Sequence, residues 1–390
     1  MSLEQVRQKH KEALEQQPKK IGDFDSRLNY FEYLFERTKL DLRFNILTQK
    51  IELNSQAITY DQLRRKIANE FGYDLPINER GAIYSLLSET KEYNPITNYL
   101  DNLNHAKKSP YEHIANAFGF EPDSFDTKLI VLTLLGAVNR AYKPGCKMQT
   151  VLIFLSGQGK YKSTFWESIV PDETLYVEPT DASQEKHYLM SCYSSWLVNM
   201  SEIETMFSKK SISDNKAFIT KQRDTFVPPY GHDAITYSRH WILVGSTNED
   251  ELFRDYENRR YWVVKLKDDK PINNEYVLAN RDDIWAGILE LYMADTQYWF
   301  DDGSADANLL KEQNLEYREQ QPFVERLNLF LDAIGLEPFS LTYCYKACFD
   351  CFAEQDKKKQ KQLANELRAL GYQPIRTTVD GKQQRVWIKS

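Results

Sequence analysis

VLIFLSGQGKYKST, residues 151–164, decides the fold. An apolar run, Val151–Leu155, leads into a short loop with Gly157 and Gly159, and then into FWESIV, which reads as a helix. A buried strand feeding a glycine-containing loop and a helix is the shape that phosphate binding requires. Backbone N–H groups at a helix start point at phosphate oxygens, and a small loop permits close approach. In that reading Gly157, Gln158, Gly159, Lys160, Tyr161, Lys162, Ser163 and Thr164 form the cradle. Lys162 reaches the β- and γ-phosphates, and Ser163 holds Mg²⁺ through its hydroxyl. The usual pattern is G-x-x-x-x-G-K-[ST]; aligned on Lys162-Ser163, this chain has Ser156 and Tyr161 where glycines are expected. Taken alone, the segment also fits an ordinary strand–turn–helix with a solvated Lys pair.

Further apolar runs follow at intervals: Leu175–Val177, Trp196–Met200, Trp241–Gly245 and Tyr261–Leu266. Buried strands separated by helical stretches predict an α/β sheet with helices on its faces. WLVNM is followed by Ser201-Glu202-Ile203-Glu204, which puts carboxylates at a strand tip, where an ATPase holds its Mg²⁺ shell and orients water. Glu202 is the first candidate and Glu204 the second, although both also suit the start of a surface helix. WILVGSTN ends in Asn248, placed to bond a γ-phosphate or the lytic water. Arg259 and Arg260 come next, suited to a neighbouring subunit's γ-phosphate or to a charged turn with Asp255 or Glu257. The order of these segments carries more than any one of them.

Upstream, LRFNIL and KIEL within Leu42–Leu53 read as two strands, and Tyr60–Phe71, Asn78–Tyr93 and Thr127–Tyr142 as helices. Pro144-Gly145 stops the last of these. Residues 1–22 are polar and read as an arm or frayed helix. Downstream of Leu266 the chain is mainly helical. LANELRALGY is a helix ending at Gly371, and PIRTTVDGKQQRVWI is a hairpin turning at Asp380-Gly381. The expected organisation is an N-terminal helical and mixed unit over 1–110, a P-loop ATPase core over 111–300, and a C-terminal module over 301–390.

The net charge of −7 conceals an uneven distribution. Residues 357–390 hold nine Lys/Arg against Glu366 and Asp380, so this end is +7 and the remainder −14. A basic helix followed by a hairpin predicts a winged-helix-like DNA-binding module, with Lys357, Lys358, Lys359, Lys361, Arg368, Arg376, Lys382 and Arg385 on phosphates. The bland alternative is a solvated charged face. Cys344, Cys348 and Cys351 lack a nearby fourth ligand for zinc and read as buried thiols. Hydrophobic residues at 42% support a sizeable core. The longest apolar candidate, Leu129–Val138, falls short of the roughly 20 residues of a membrane span. The N-terminus shows no signal-peptide pattern, and the odd number of cysteines suits a reducing compartment, so a cytoplasmic location is expected.

KEYNPITNYLDNL (91–103), NRAYKPGCKMQTVLIFLSGQGKYKST (139–164), SSWLVNMSEIETM (194–206), NKAFITKQRDTFVPPYGHDAITYSRHWILVGSTN (215–248) and ELFRDYENRRYWVV (251–264) together resemble the virulence-associated protein E family, related to superfamily 3 helicases. The resemblance covers roughly residues 91–266. It implies an AAA+-like ATPase core of the kind carried by prophages, with ATP, Mg²⁺, a homo-oligomeric ring such as a hexamer, and a role in DNA replication. It gives Lys162 and Ser163 the phosphate-loop roles, Glu202 the acidic-strand role, Asn248 the sensor role and Arg259 or Arg260 the finger role. The family often carries another Glu where this chain has Asn199. Lys216, Arg223, Pro229, Tyr230 and Gly231 also match. In related helicases the segment before the Asn strand is a hairpin in the ring channel. There Tyr230 would stack on a base or sugar, and Lys221, Arg223 or His232 would contact phosphate; a purely structural hairpin is the alternative.

The expectation is an ATP-driven helicase on single-stranded or forked DNA, working with a separate primase or polymerase and without a membrane. Two rivals remain. One is a weakly catalytic DNA-binding initiation subunit with a degenerate loop, suggested by Tyr161 and Asn199. The other is a small-molecule kinase, which the arginine pair and the basic end disfavour.

Overall fold

The computed structural model describes residues 21–179, 185–203, 212–227, 234–249, 259–317, 323–349, 356–379 and 382–389. Residues 1–20 of the arm expected over 1–22, Glu204, the hairpin tip with Pro229, Tyr230, Gly231 and His232, Asp255 and Glu257, Cys351 and the Asp380-Gly381 turn lie outside the described residues.

After a short 3-10 turn at Ile21–Asp23, the first α-helix among the described residues is α1 (Arg27–Thr38), started by Ser26, whose Oγ accepts from the Asn29 N–H. β1 (Leu42–Asn45) and β2 (Lys50–Leu53) pair antiparallel, as expected. A third strand, β3 (Gln56–Ile58), was not legible as one. Asn54 and Ser55 both take positive φ, 50° and 64°, which is the two-residue turn that matches strand twist. α2 (Tyr60–Phe71) has the expected bounds. A capping box between Thr59 and Gln62 starts it, and Gly72 at φ 73° ends it.

The helix expected over 78–93 is shorter. α3 spans Arg80–Thr90, and Glu92–Tyr93 leave it to form β4 beside β1. The Phe44 and Ile46 N–H groups donate to the Lys91 and Tyr93 carbonyls, at 2.7 and 3.2 Å. This sheet pairing outweighs the local helical pattern. The four strands, in order β3-β2-β1-β4, close with α1–α3 over a core that includes Phe31, Leu34, Ile51, Leu63, Ile67 and Leu87.

α4 (Pro95–Asp101), α5 (Pro110–Phe118) and α6 (Phe125–Tyr142) lead to the central sheet. Its elements are β5 (Val151–Leu155), α7 (Lys162–Ile169), β6 (Tyr176–Val177), α8 (Glu185–Tyr193) and β7 (Leu197–Ser201). They are followed by α9 (Ile212–Thr220), the antiparallel pair β8 (Arg223–Phe226) and β9 (Ile235–Ser238), β10 (Ile242–Thr247) and β11 (Tyr261–Lys265). The central strands are all parallel, in order β11-β5-β10-β7-β6.

Strand alternation explains why these runs are continuously apolar. Leu152 and Phe154 face one core with α5–α7 and α10 (Asn274–Met293), whereas Val151, Ile153 and Leu155 face another with α8 and α9. A parallel sheet covered on both faces needs apolar residues at every position. The predicted sheet strands are present, with ends shifted by a residue or two.

Beyond α11 (Ala305–Leu315) come α12 (Val324–Ile334), β12 (Phe339–Ser340), α13 (Leu341–Phe349), α14 (Lys357–Ala369), β13 (Tyr372–Val379) and β14 (Lys382–Lys389). Three helices and an antiparallel sheet in order β12-β14-β13 enclose Leu327, Tyr345, Leu363, Leu367 and Trp387. Cys344 and Cys348 are buried in this core.

Candidate functional site

The connection after β5 runs toward β6 at one edge of the sheet, whereas the chain after β10 crosses to β11 on the far side of β5. The carboxyl ends of β5 and β10 therefore form a topological switch point, where open α/β sheets carry their ligand crevice. The glycine loop stands there. Residues 157–159 are exposed, and a Cβ placed at Gly157 or Gly159 would meet nothing within 4 Å among the described residues. Lys160 bonds the Asp268 carbonyl, and its own carbonyl accepts from Ile272 N at 3.4 Å, bracing the loop from the segment after β11.

Tyr161 occupies the position of the expected second glycine and shows why glycine belongs there. It has φ 57°, ψ 37°, the left-handed turn that feeds the first residue of α7. For a residue with a side chain this conformation costs on the order of 1–2 kcal/mol. Its carbonyl accepts the first helical bond, from Phe165 N, and a second from Asn274 Nδ2. Tyr161 and Thr164 border a cleft of about 620 Å³ shared with Asn116–Gly119 and Lys270–Glu275.

Lys162 turns back over the switch point. Its Nζ donates to the Ser156 carbonyl at 2.6 Å, the Thr247 carbonyl at 2.7 Å and Asn248 Oδ1 at 2.6 Å. One ammonium thus gathers the ends of β5 and β10, and the candidate sensor Asn248 is brought to the candidate phosphate-loop lysine.

β7 is the next strand. Glu202 lies past its tip, exposed and at φ 55°. Ile203 behind it is buried and packs on Gly245 of β10, where a Cβ would come within 2.7 Å of Ile203 Cδ1. That close approach needs glycine, and it holds the turn that presents Glu202.

One residue at this edge was missed from the sequence. Tyr176 and Val177 pair with Leu197 and Val198, so the register carries Glu178 alongside Asn199. Asn199 Nδ2 donates to Glu178 Oε1 at 2.7 Å and lies 3.0 Å from Tyr176 Oη, and 3.4 Å from both Ser163 Oγ and Ser201 Oγ. Burial pushes the Glu178 carboxyl up, but hydrogen bonds from Tyr176, Ser163, Ser201 and Asn199 outweigh it and hold the group below the usual carboxylate range. The only signal in the sequence was an acid just after a short apolar run.

Arg259 and Arg260 stand elsewhere. Tyr261 pairs with Val151, so the arginines precede the amino end of β11, opposite the loop edge. Five residues of strand put at least about 13 Å between the two edges. Arg259 pairs with Asp302, and both arginines border a cavity of about 440 Å³ that includes Trp262 and Phe300.

The hairpin stem is fastened from below. Arg239 donates to both Asp224 oxygens, at 2.6 and 3.1 Å, and to the Phe218 carbonyl at 2.7 Å; both ionised residues are buried. Its guanidinium lies against the Phe218 and Trp241 rings. Asp224 is raised by burial but more strongly lowered by Arg239 and Lys221. Lys221 is thus held at the stem by Asp224, at 2.8 Å, whereas Arg223 is exposed.

At the C-terminal end Lys357 and Lys359 are exposed at the start of α14, and Arg368 lies over the Trp387 ring. The side chains of Lys358 and Lys382 lie outside the described residues. Arg376 and Arg385 are directly opposed across β13 and β14, both exposed. Like charges in that position repel and destabilise the hairpin unless an anion lies between them.

No curated protein matches this chain. Among solved structures it is similar to the apo C-terminal region of NrS-1, residues 305–718, with a TM-score of 0.53 and 13% identity over 92% of this chain and 99% of that one. A second apo structure of that region gives 0.52 and 14% with the same coverage. Identities this low bear on the fold alone. Similarity to an inhibitor-bound JCV helicase, with a TM-score of 0.29 and 12% identity over 61% of this chain and 71% of that one, is too slight to carry an argument. The virulence-associated protein E-like domain matches residues 100–319, more than half of the chain, and the protein therefore belongs to that family.

Proposed function

We propose that this protein is a P-loop ATPase that drives DNA unwinding or translocation in the replication of a phage or mobile element. The observation that carries the reading is Lys162, whose ammonium binds three oxygens across the ends of β5 and β10 at the switch point of a parallel sheet. Ser163 and Thr164 follow it in the first turn of an eight-residue helix, where backbone N–H groups are available to phosphate oxygens. ATP would lay its phosphates on residues 157–164 and its nucleoside toward the cleft beside Tyr161 and Thr164. Lys162 would exchange its present acceptors for β- and γ-phosphate oxygens, Ser163 would hold Mg²⁺, and Glu202 and Asn248 would orient the attacking water. The residues fit the group: among the described residues open space surrounds both loop glycines, and the Lys162 ammonium stands at the adjoining strand ends.

Membership in the virulence-associated protein E-like family supports a replication setting. The position of Arg259 and Arg260 supports action in trans. They are too far from their own loop, yet on the edge that a neighbouring subunit's loop would meet in a homo-oligomeric ring, hexameric in the family reading. The C-terminal topology, helix–strand–helix–helix–strand–strand, supports a winged-helix-like module whose basic α14 and β13–β14 wing take DNA phosphates. No helix among the described residues is long and apolar enough to cross a membrane.

The test is ATP hydrolysis with and without single-stranded DNA, together with native mass. The reading predicts DNA-stimulated turnover that disappears in Lys162→Ala. A wild-type rate equal to that of the variant, with DNA present, would refute the motor. A second reading, nucleotide binding with little turnover, draws on the left-handed Tyr161 and the neutral Asn199; tight ATP binding without hydrolysis would favour it.

A further inference from the structure

The strand end that should supply an acid for the nucleotide's metal carries a neutral amide, Asn199, yet a carboxylate lies beside it. Glu178 comes from the neighbouring strand end, and the Asn199 amide that donates to it at 2.7 Å also lies 3.4 Å from the Oγ of Ser163, the residue assigned to the metal. We propose that Glu178 takes the place of the acid absent from β7 and holds the divalent cation of the bound nucleotide together with Ser163. The inference rests on the nucleotide reading above.

Three observations carry it. The first is register: parallel pairing of β6 with β7 puts Glu178 level with Asn199, so the two side chains address the same volume at the carboxyl edge. The second is the composition of the cluster. Glu178 Oε1, Tyr176 Oη, Ser163 Oγ and Ser201 Oγ all lie within 3.4 Å of one amide nitrogen. An oxygen-rich cluster with one carboxylate is what Mg²⁺ uses when phosphates and water supply its remaining ligands. The third is an orphan. Asn199 is 1% exposed, and its Oδ1 has no hydrogen-bond partner among the described residues. The amide cannot turn over to relieve this, because Oδ1 would then face the Glu178 carboxylate. A buried acceptor without a donor is costly, on the order of 1–3 kcal/mol. A water on the cation would supply the donor. Glu178 and Asn199 thus divide between two strands what one acidic strand end does elsewhere: the first brings the charge, and the second orients the water shell. Glu202, exposed past the tip of β7, is left to act on the lytic water.

The experiment uses the full chain and Mn²⁺ as the probe, with free Mn²⁺ read by electron paramagnetic resonance in the presence of ADP. Fluorescent mant-ATP is titrated in parallel, in EDTA and in Mg²⁺. Glu178→Gln is expected to weaken Mn²⁺ binding by about tenfold or more, while leaving mant-ATP binding in EDTA unchanged. Adding Asn199→Asp to that variant, which moves the carboxylate across to β7, is expected to restore most of the metal affinity. Wild-type Mn²⁺ affinity in Glu178→Gln overturns the proposal, and so does a loss that Asn199→Asp fails to restore. Should Glu178→Gln not fold, Asn199→Asp alone decides: a second carboxylate beside Glu178 must tighten Mn²⁺ binding, and unchanged affinity overturns the assignment. The underlying reading fails separately, when the wild-type chain binds mant-ATP in neither condition, and it takes this inference with it.

Discussion

Lys162 Nζ donates to Asn248 Oδ1 at 2.6 Å, which ties the helix after the glycine loop to the end of the neighbouring strand. The two residues are predicted to fail differently. Lys162→Ala removes the cation proposed to bind phosphate and should lower mant-ATP affinity at least about tenfold, with hydrolysis at background. Asn248→Ala should leave binding within a few-fold and slow turnover by about a hundredfold, the typical cost of one donor to the reacting group. Equal loss of binding in both variants would mean that Asn248 only braces the lysine.

Tyr161 carries backbone strain with little packing to offset it, being 58% exposed at φ 57°. Tyr161→Gly should stabilise the chain by up to about 1 kcal/mol, the left-handed penalty less the greater chain entropy of glycine. Tyr161→Val should destabilise it, since a β-branched residue tolerates positive φ least. Urea midpoints in the order Gly, Tyr, Val from most to least stable check this; Gly below Tyr would show that the aromatic ring contributes more than the strain costs.

The Asp224–Arg239 pair is buried on both sides, so breaking it leaves an uncompensated charge. Asp224→Asn or Arg239→Met should cost about 3–5 kcal/mol each. The double variant should recover part of that loss, measured by denaturant unfolding in a double-mutant cycle. If the segment joining β8 to β9 contacts single-stranded DNA, as the family resemblance implies, both single variants should also weaken that binding, because the pair anchors β8 to the segment before β10.

Two buried groups give opposite pH responses. Burial pushes the His240 imidazole down to about 4, and its Nε2 lies 3.1 Å from the Ser195 carbonyl. As pH falls below the ordinary histidine value, the unfolded chain takes a proton that the folded one refuses, so stability drops toward pH 4. Burial pushes the Glu366 carboxyl up to about 7. There the folded chain keeps a proton that the unfolded one releases, so stability is lost as pH rises through about 7. Each slope reaches at most about 1.4 kcal/mol per pH unit. In the window they share, the two oppose each other. His240→Gln should leave stability falling with rising pH, and Glu366→Gln should leave it rising. Unaltered slopes in both variants would contradict the assignment.

Arg376 and Arg385 face each other across the β13–β14 hairpin. If both lie on DNA phosphates, Arg376→Gln with Arg385→Gln should reduce the slope of log affinity against log salt by about 2. The same double variant should gain stability in the absence of DNA, since the repulsion is removed. An unchanged salt slope would assign DNA contact to other basic residues.

Gly245 and Asn54-Ser55 mark the limit of what local pattern conveys. The continuous apolar runs of β5, β7, β10 and β11 stated a sheet buried on both faces, because period-two alternation vanishes only when both sides are covered. The same runs placed Lys162, Glu202 and Asn248 at strand ends, so that much of the candidate site followed from one-dimensional order. Helix starts such as Thr59 with Gln62 were equally local, since a cap bonds residues three apart. Strand adjacency was not. Only pairing in space set β6 beside β7 and brought Glu178 to Asn199, and only the parallel pairing of β11 with β5 put Arg259 and Arg260 on the edge away from their own loop. Hydrophobic period reports which faces are buried but not against what. The residues that meet at a sheet edge are fixed by parallel register between strands far apart in the chain, which tertiary structure alone decides.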